Sequence, residues 1–267
     1  MTNVTERDRR WESEARYFDR VAAGGEIRPI RSKTLARYSH PWRTWLIPEY
    51  RLRLAGTLAG KRALDIGCGE GQSSVLLAKL GAHVTGIDIA PGAVESARKR
   101  AALDDVSSNT AFVCGPLETC DLPDGSFDLI WCQSFLHHVI DDLPAVLDRI
   151  HRWLAPGGRA IISEPVSLSR WFRQFRLAFF RAPDATEDER PLEPSEIALI
   201  RRTFQTTSIR YFGLFGRLDQ FVLSDGYEYS SSPRRALSNA LRLTDRVVLS
   251  LPVIRRLASV AVIGGFA

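Results

Sequence analysis

The residues best placed for chemistry in this 267-residue chain are three glycines and two carboxylates. Asp65, Gly67, Gly69 and Gly71 fall within Ala63-Leu-Asp-Ile-Gly-Cys-Gly-Glu-Gly71, and Asp88 ends the next apolar stretch. Arg62 to Ile66 is a short apolar run interrupted by Asp65, and Ser73 to Leu80 repeats apolar residues at helical spacing. A buried strand therefore delivers a tight glycine turn to a helix N-terminus. The glycines tolerate positive φ and let a ligand lie against the backbone. The first amides of the helix present donors that nothing inside it can satisfy, which suits a carboxylate or phosphate. Asp88 stands about 20 residues beyond the turn, where a carboxylate can accept both hydroxyls of a ribose. The pattern predicts a nucleoside site. Gln72 occupies the place of the third glycine in the dinucleotide fingerprint G-x-G-x-x-G, so the match is to G-x-G-x-G instead.

A second group of chemistry-bearing residues follows the predicted fourth strand. Gln133, His137 and His138 lie there, at the carboxyl edge where substrates enter open α/β sheets. Imidazole is the side chain suited to proton transfer near neutral pH.

The elements that must position these groups divide the chain into three parts. Residues 1–59 read as a helical cap, with Trp11, Ala15, Phe18 and Ala22 on one face and large apolar residues repeating from Trp42 to Leu58. Residues 60–165 alternate strand and helix, with strands near 62–66, 82–88, 110–114, 127–132 and 158–163. That alternation implies a parallel sheet with helices on both faces. Asp141 and Asp142 are expected to open a helix through Leu154, and Pro156-Gly-Gly158 to close it. In residues 166–267, Trp171 to Arg181 and Pro194 to Phe204 read as helices, and Thr206 to Phe215 as a strand with Ser259 to Gly264 as its antiparallel neighbour.

In order along the chain, Leu64 to Gly71, Val84 to Asp88, Leu122 to Ile130, Phe135 to Val139 and Leu154 to Ile162 resemble the motifs of one family. It is the class I S-adenosylmethionine-dependent methyltransferases, in particular those acting on small molecules and resembling the quinone-biosynthesis enzymes. The resemblance covers roughly residues 60 to 165. It implies a Rossmann-like α/β fold with a seven-stranded, mostly parallel sheet, an N-terminal helical cap and an inserted lid and C-terminal helical region. It also implies S-adenosylmethionine as cofactor. Asp65 would then hold the methionine ammonium, the backbone of Gly67, Cys68, Gly69 and Gly71 would line the methionyl part, Asp88 would take the ribose, Ile89 would pack on adenine, and Gln133 would border the methionine. Where the family carries an acidic residue after the third strand, this chain has Gly115-Pro-Leu-Glu118, which shifts the adenine contact to the Leu117 amide and Glu118. His137 is the residue the family pattern places toward the methyl group, with Tyr17 of the cap as its partner.

These readings lead to an enzyme that methylates a hydrophobic small molecule, at oxygen in preference to nitrogen or carbon. The alternatives are a lipid methyltransferase at a membrane surface, a non-catalytic module that binds S-adenosylmethionine, and an NAD-dependent oxidoreductase, which Gln72 opposes. Trp131-Cys-Gln-Ser134 lacks the motif of nucleic-acid amino-methyltransferases, and no basic arm with interleaved aromatics appears, so nucleic acid is disfavoured. The net charge of +5 is spread along the chain. Cys68, Cys114, Cys120 and Cys132 form no Cys-x-x-Cys pair and have no neighbouring histidine ligands, so no metal site is expected. They read as reduced thiols of a cytoplasmic protein, in keeping with a charged N-terminus without an apolar region after it. No run reaches the roughly 18 apolar residues of a membrane span. The aromatic, basic segment 171–181 is open to three readings: pocket lining, a peripheral membrane contact or an ordinary core helix. The apolar tail Val247 to Ala267 is core or membrane contact. From the ribose assignment, Asp88→Ala is expected to weaken S-adenosylmethionine binding at least about tenfold in calorimetry, the loss of a charge-assisted hydrogen-bond pair. Unchanged affinity would remove the assignment.

Overall fold

The computed structural model describes residues 6–24, 26–169, 171, 190–223, 227 and 230–267. Its centre is a seven-stranded sheet: β1 (Arg62–Ile66), β2 (His83–Asp88), β3 (Thr110–Cys114), β4 (Phe127–Gln133), β5 (Leu154–Pro165), β6 (Thr206–Phe212) and β7 (Val260–Phe266). The order is β3-β2-β1-β4-β5-β7-β6, and β7 alone runs antiparallel to its neighbours. The strand order thus reverses between β1 and β4, the switch point at which ligands of such sheets bind. The strands expected from the sequence agree to within a residue or two, except that β5 begins four residues early and β6 ends at Phe212, three residues before Phe215. The chain between β6 and β7 is a long insertion, 213–259.

Helices α1 (Glu6–Ala23), α2 (Ser32–Ser39) and α3 (Ile47–Ala55) form the N-terminal part. α4 (Gln72–Lys79), α5 (Pro91–Leu103), α6 (Leu143–Trp153) and α7 (Pro194–Thr203) complete the layers around the sheet, and α8 (Ser232–Val248) lies in the insertion. Alternation along β1 sends Leu64 and Ile66 into one core with α6 and α7, through Leu147, Ile150, Ile197 and Ile200. Ala63 turns to the other face, where Leu52, Val75, Leu77 and Trp131 pack.

Two local expectations are corrected. α6 ends at Trp153, and Leu154 is already extended, with φ −67° and ψ 132°. Pro156 cannot continue a helix, and the clash of its ring disfavours helical backbone in the residue before it, so the helix stops ahead of Pro156-Gly-Gly158. Asp142 precedes α6 but makes no side-chain capping bond. Its carboxylate instead accepts from Arg7 at 2.9 Å and Arg10 at 2.8 Å, both on α1. At the other end of α1, Asp19 accepts the Gly92 amide at 2.7 Å, at the start of α5. α1 is therefore strapped across the carboxyl edge of the sheet by a carboxylate and an arginine pair. The tail also divides: Val260–Phe266 is the largely buried β7, whereas 250–253 are exposed. Except for exposed Trp171, the segment 171–181 lies outside the described residues. No described helix is long and apolar enough to cross a membrane.

Candidate functional site

The glycine turn has the expected geometry. Gly67, Gly69 and Gly71 have φ of 64°, 50° and 77°, in the left-handed region that other residues avoid. Gly67 has a second reason to be glycine, because a Cβ there would lie 2.7 Å from the Phe135 ring. A Cβ on Gly69 would meet nothing within 4 Å, so that stretch of backbone is open to a ligand. Asp88 holds the turn to β2: its two carboxylate oxygens accept the Gly69 amide at 2.7 Å and the Ala90 amide at 2.9 Å. Each oxygen keeps a further lone pair for a hydroxyl donor. Burial pushes the Asp88 carboxyl up from its usual range, and the Ala90 and Gly69 amides oppose that. Cys68 is buried with its sulfur toward Gly86 of β2, and its amide is taken by Ile87, so it adds only backbone to the turn.

Beyond Asp88, the residues Ile89, Gly115, Pro116, Leu117 and Glu118 line one cavity with Gly67 and Phe135. Trp11 and Glu14 of α1 close it to about 20 Å³. Glu118 does not face empty space, since its Oε1 accepts from Arg10 at 3.1 Å and from the Trp11 indole at 3.3 Å. The expected nucleoside contacts are thus gathered at one place, with the side chains of α1 filling the room a nucleoside base needs.

At the other end of the turn, Asp65 is 2% exposed and accepts the Ser74 hydroxyl at 2.6 Å. Burial pushes its carboxyl up to about 7, opposed by that hydroxyl and by the nearby Arg51. Arg51, from α3, is a buried cation that the sequence pattern did not single out. Its guanidinium lies over the Trp131 ring at 5.0 Å and donates to the Gln133 side chain, while its Nε has no hydrogen-bond partner among the described residues. Burial pulls it down to about 10. Ser73 at the start of α4 also reaches Gln133, at 3.4 Å. A buried carboxylate at the head of the glycine turn and a buried, under-satisfied guanidinium near it match an amino acid's ammonium and carboxylate. The residues present therefore fit S-adenosylmethionine at both its ribose and its methionine ends.

The histidines sit on the loop after β4. Ser134 turns the chain at φ 53°, and Leu136–His138 forms a single 3-10 turn. Glu164, fully buried near the end of β5, organises this loop. One of its oxygens accepts the Phe135 and Leu136 amides at 2.9 and 3.0 Å, and the other meets His137 Nδ1 at 2.8 Å. A carboxylate only accepts, so Nδ1 carries the proton, which in the neutral imidazole leaves the lone pair on Nε2. His138 stacks at 4.1 Å on His137 and meets the edge of Phe18 at 5.4 Å. Burial, then the neighbouring His137, pulls His138 down to about 3, so it stays neutral at neutral pH. On α1, Tyr17 is half-buried and packs edge-on against Phe18 at 5.1 Å, and Phe18 in turn meets His138. Glu164 and Arg51 were missed by sequence reasoning. The signal for Glu164 was its place at the carboxyl end of the last parallel strand.

The family profile described as a methyltransferase domain matches residues 64–162. Among curated proteins, the chain is 40% identical over 116 residues to the 27-O-demethylrifamycin SV methyltransferase of Amycolatopsis mediterranei, an alignment covering 42% of each chain. It is 33% identical over 178 residues to the ubiquinone biosynthesis O-methyltransferase of Idiomarina loihiensis, covering 63% of this chain and 71% of that protein. The chain spans about two fifths of the length of the rifamycin relative and about seven tenths of the ubiquinone one. Among solved structures, the [4+2]-cyclase SpnF superposes with a TM-score of 0.59 at 18% identity over 96% of both chains, a likeness of fold. The glycine turn, the seven-stranded sheet and the match to the ubiquinone relative together identify the chain as a member of the class I S-adenosylmethionine-dependent methyltransferases, whose cofactor is S-adenosylmethionine.

Proposed function

We propose that this protein moves a methyl group from S-adenosylmethionine to a hydroxyl oxygen of a hydrophobic small molecule in the cytoplasm, with His137 taking the hydroxyl proton. The observation that carries this reading is the hydrogen bond between His137 Nδ1 and the buried Glu164, at 2.8 Å. Asp88, Ile89, Leu117 and Glu118 would hold the nucleoside, and Asp65, Arg51, Gln133 and the backbone from Gly67 to Gly71, Cys68 included, the methionyl part. When bound, the cofactor supplies a methyl group on a sulfonium, electrophilic without further activation.

What remains for the chain is to align the acceptor and remove its proton, and alignment alone supplies much of the rate of such reactions. Glu164 fixes the imidazole so that Nε2 is the basic atom, and its negative charge stabilises the imidazolium formed when Nε2 takes the proton. His138, kept neutral by burial, packs behind this base. Tyr17 is our second assignment toward the acceptor, on a helix that has to yield for the nucleoside to enter and that excludes water on its return. The names of the two curated relatives support oxygen as the methylated atom and a phenolic, quinol-like or natural-product acceptor as its class. A lipid is the alternative acceptor.

Two outcomes are expected. His137→Ala lowers transfer to a panel of phenols, quinols and lipids by about 10²–10⁴-fold while leaving cofactor affinity intact, the usual worth of a positioned base, and Glu164→Gln lowers transfer over the same range. Full activity in His137→Ala would remove the base, and a wild-type protein that binds cofactor yet methylates nothing would favour the non-catalytic module. The second concerns Asp65, whose folded pKa is raised to about 7. A bound ammonium favours the ionised carboxylate, so binding releases a proton below that pH: affinity rises as the pH approaches about 7 and levels off above it. Calorimetry in buffers of different ionisation enthalpy reads that proton. Asp65→Asn should abolish the release, and a wild-type protein without it would break the ammonium assignment.

A further inference from the structure

α8 is amphipathic in the reverse of the usual sense. Its polar side is the one turned inward: Ser238 and Arg242 donate to the carboxylate of Asp219 at 3.0 and 2.7 Å, and the Trp45 indole donates to Asn239 at 3.1 Å. Asp245, 3% exposed, accepts the amides of Leu214, Phe215 and Gly216 at 3.1, 2.7 and 3.0 Å. These bonds fix the rotation of the helix about its axis. Ala236, Ala240, Leu243 and Val247, spaced three or four apart, consequently face outward, and Leu251 and Val253 continue the exposed apolar surface in the turn that follows. Val247 is 66% and Val253 78% exposed. A contiguous exposed apolar stripe held in place by buried polar bonds is a contact surface.

Its charge says what it contacts. Between residues 231 and 257 the one carboxylate is Asp245, which is buried; Arg242 pairs inward with Asp219, and the same stretch carries Arg234, Arg235, Arg246, Arg255 and Arg256 besides. Arg255 and Arg256 are exposed, two and three residues past Val253. A second copy of the chain would lay this basic surface on itself, since a two-fold contact uses the same patch twice. Apolar side chains flanked by arginines and free of exposed acid complement acyl chains beneath anionic headgroups. We propose that the outer face of α8 and the turn through Arg256 dock on an anionic lipid surface, the apolar residues at the acyl boundary and the arginines at the phosphates. This docking is independent of the methyl-transfer reading and stands or falls without it.

The test is co-sedimentation of the full-length protein with phosphatidylcholine vesicles, with and without phosphatidylglycerol. Wild-type protein should pellet with the anionic vesicles, less so as salt is raised, and not with phosphatidylcholine alone. Leu243→Asp with Val247→Asp, and separately Arg255→Glu with Arg256→Glu, should each weaken partitioning about tenfold or more. Both pairs are exposed, so melting temperatures should stay at the wild-type value. Equal pelleting with the two vesicle types, or variants that bind like wild type, would overturn the proposal. So would a wild-type dimer in sedimentation velocity that Val247→Asp disperses, which would assign the face to a second copy.

Discussion

Glu164 is a carboxylate with no exposure to solvent, and a buried charge is tolerated only where hydrogen bonds replace water. It takes four donors: the Phe135 amide, the Leu136 amide and the His137 ring, from consecutive residues of one loop, and the Cys132 thiol of β4 at 3.9 Å. That requirement brings the end of β4 to the end of β5 and sets the loop after Ser134. The loop in turn lays Phe135 over Gly67, where no side chain fits, and stacks His137 on His138 beneath Phe18 of the cap. Removing the carboxylate would leave two amides and an imidazole without their common acceptor, so histidine, glycine turn and cap are tied to one buried group.

The remaining charges arrange the site along its length. Asp88 ties the turn to β2 through the Gly69 amide and holds the start of the next helix through the Ala90 amide, and Asp65 and Arg51 lie buried nearby, each pushed toward its neutral form by burial. A ligand bearing both an ammonium and a carboxylate would relieve both at once, which is an energetic reason for a zwitterion to bind there. Over the nucleoside end, the arginines of α1 reach Glu118 and Asp142, and Trp11 fills the cavity. These are partly exposed ion pairs, each worth about 1 kcal/mol or less, so the strap can open without unfolding the core.

What was legible in the sequence was local. Gly67, Gly69, Gly71 and Asp88 announce themselves because the turn, the strand before it and the helix after it are contiguous, and the strand pattern followed from short apolar runs between helical ones. What was not legible came from distant partners. Nothing near Arg51 says that it will be buried beside Asp65, 14 residues on, or near Glu164 that it will grip a loop 27 residues earlier. Asp142 carries the local signature of a helix cap, yet two arginines more than 130 residues away claim it. α8 makes the point most sharply. Periodicity tells which of its residues share a face, but which face turns inward was decided by Asp219 and by the amides of 214–216.

The most direct measurement of this account is the tautomer of His137, read by ¹⁵N NMR of histidine-labelled protein. With Glu164 in place, the neutral imidazole should carry its proton on Nδ1 and leave Nε2 bare, and Glu164→Gln should disturb that signal while the other histidines keep theirs. A wild-type His137 protonated on Nε2 in its neutral form would contradict the account, because the atom assigned to take the acceptor's proton would already hold one.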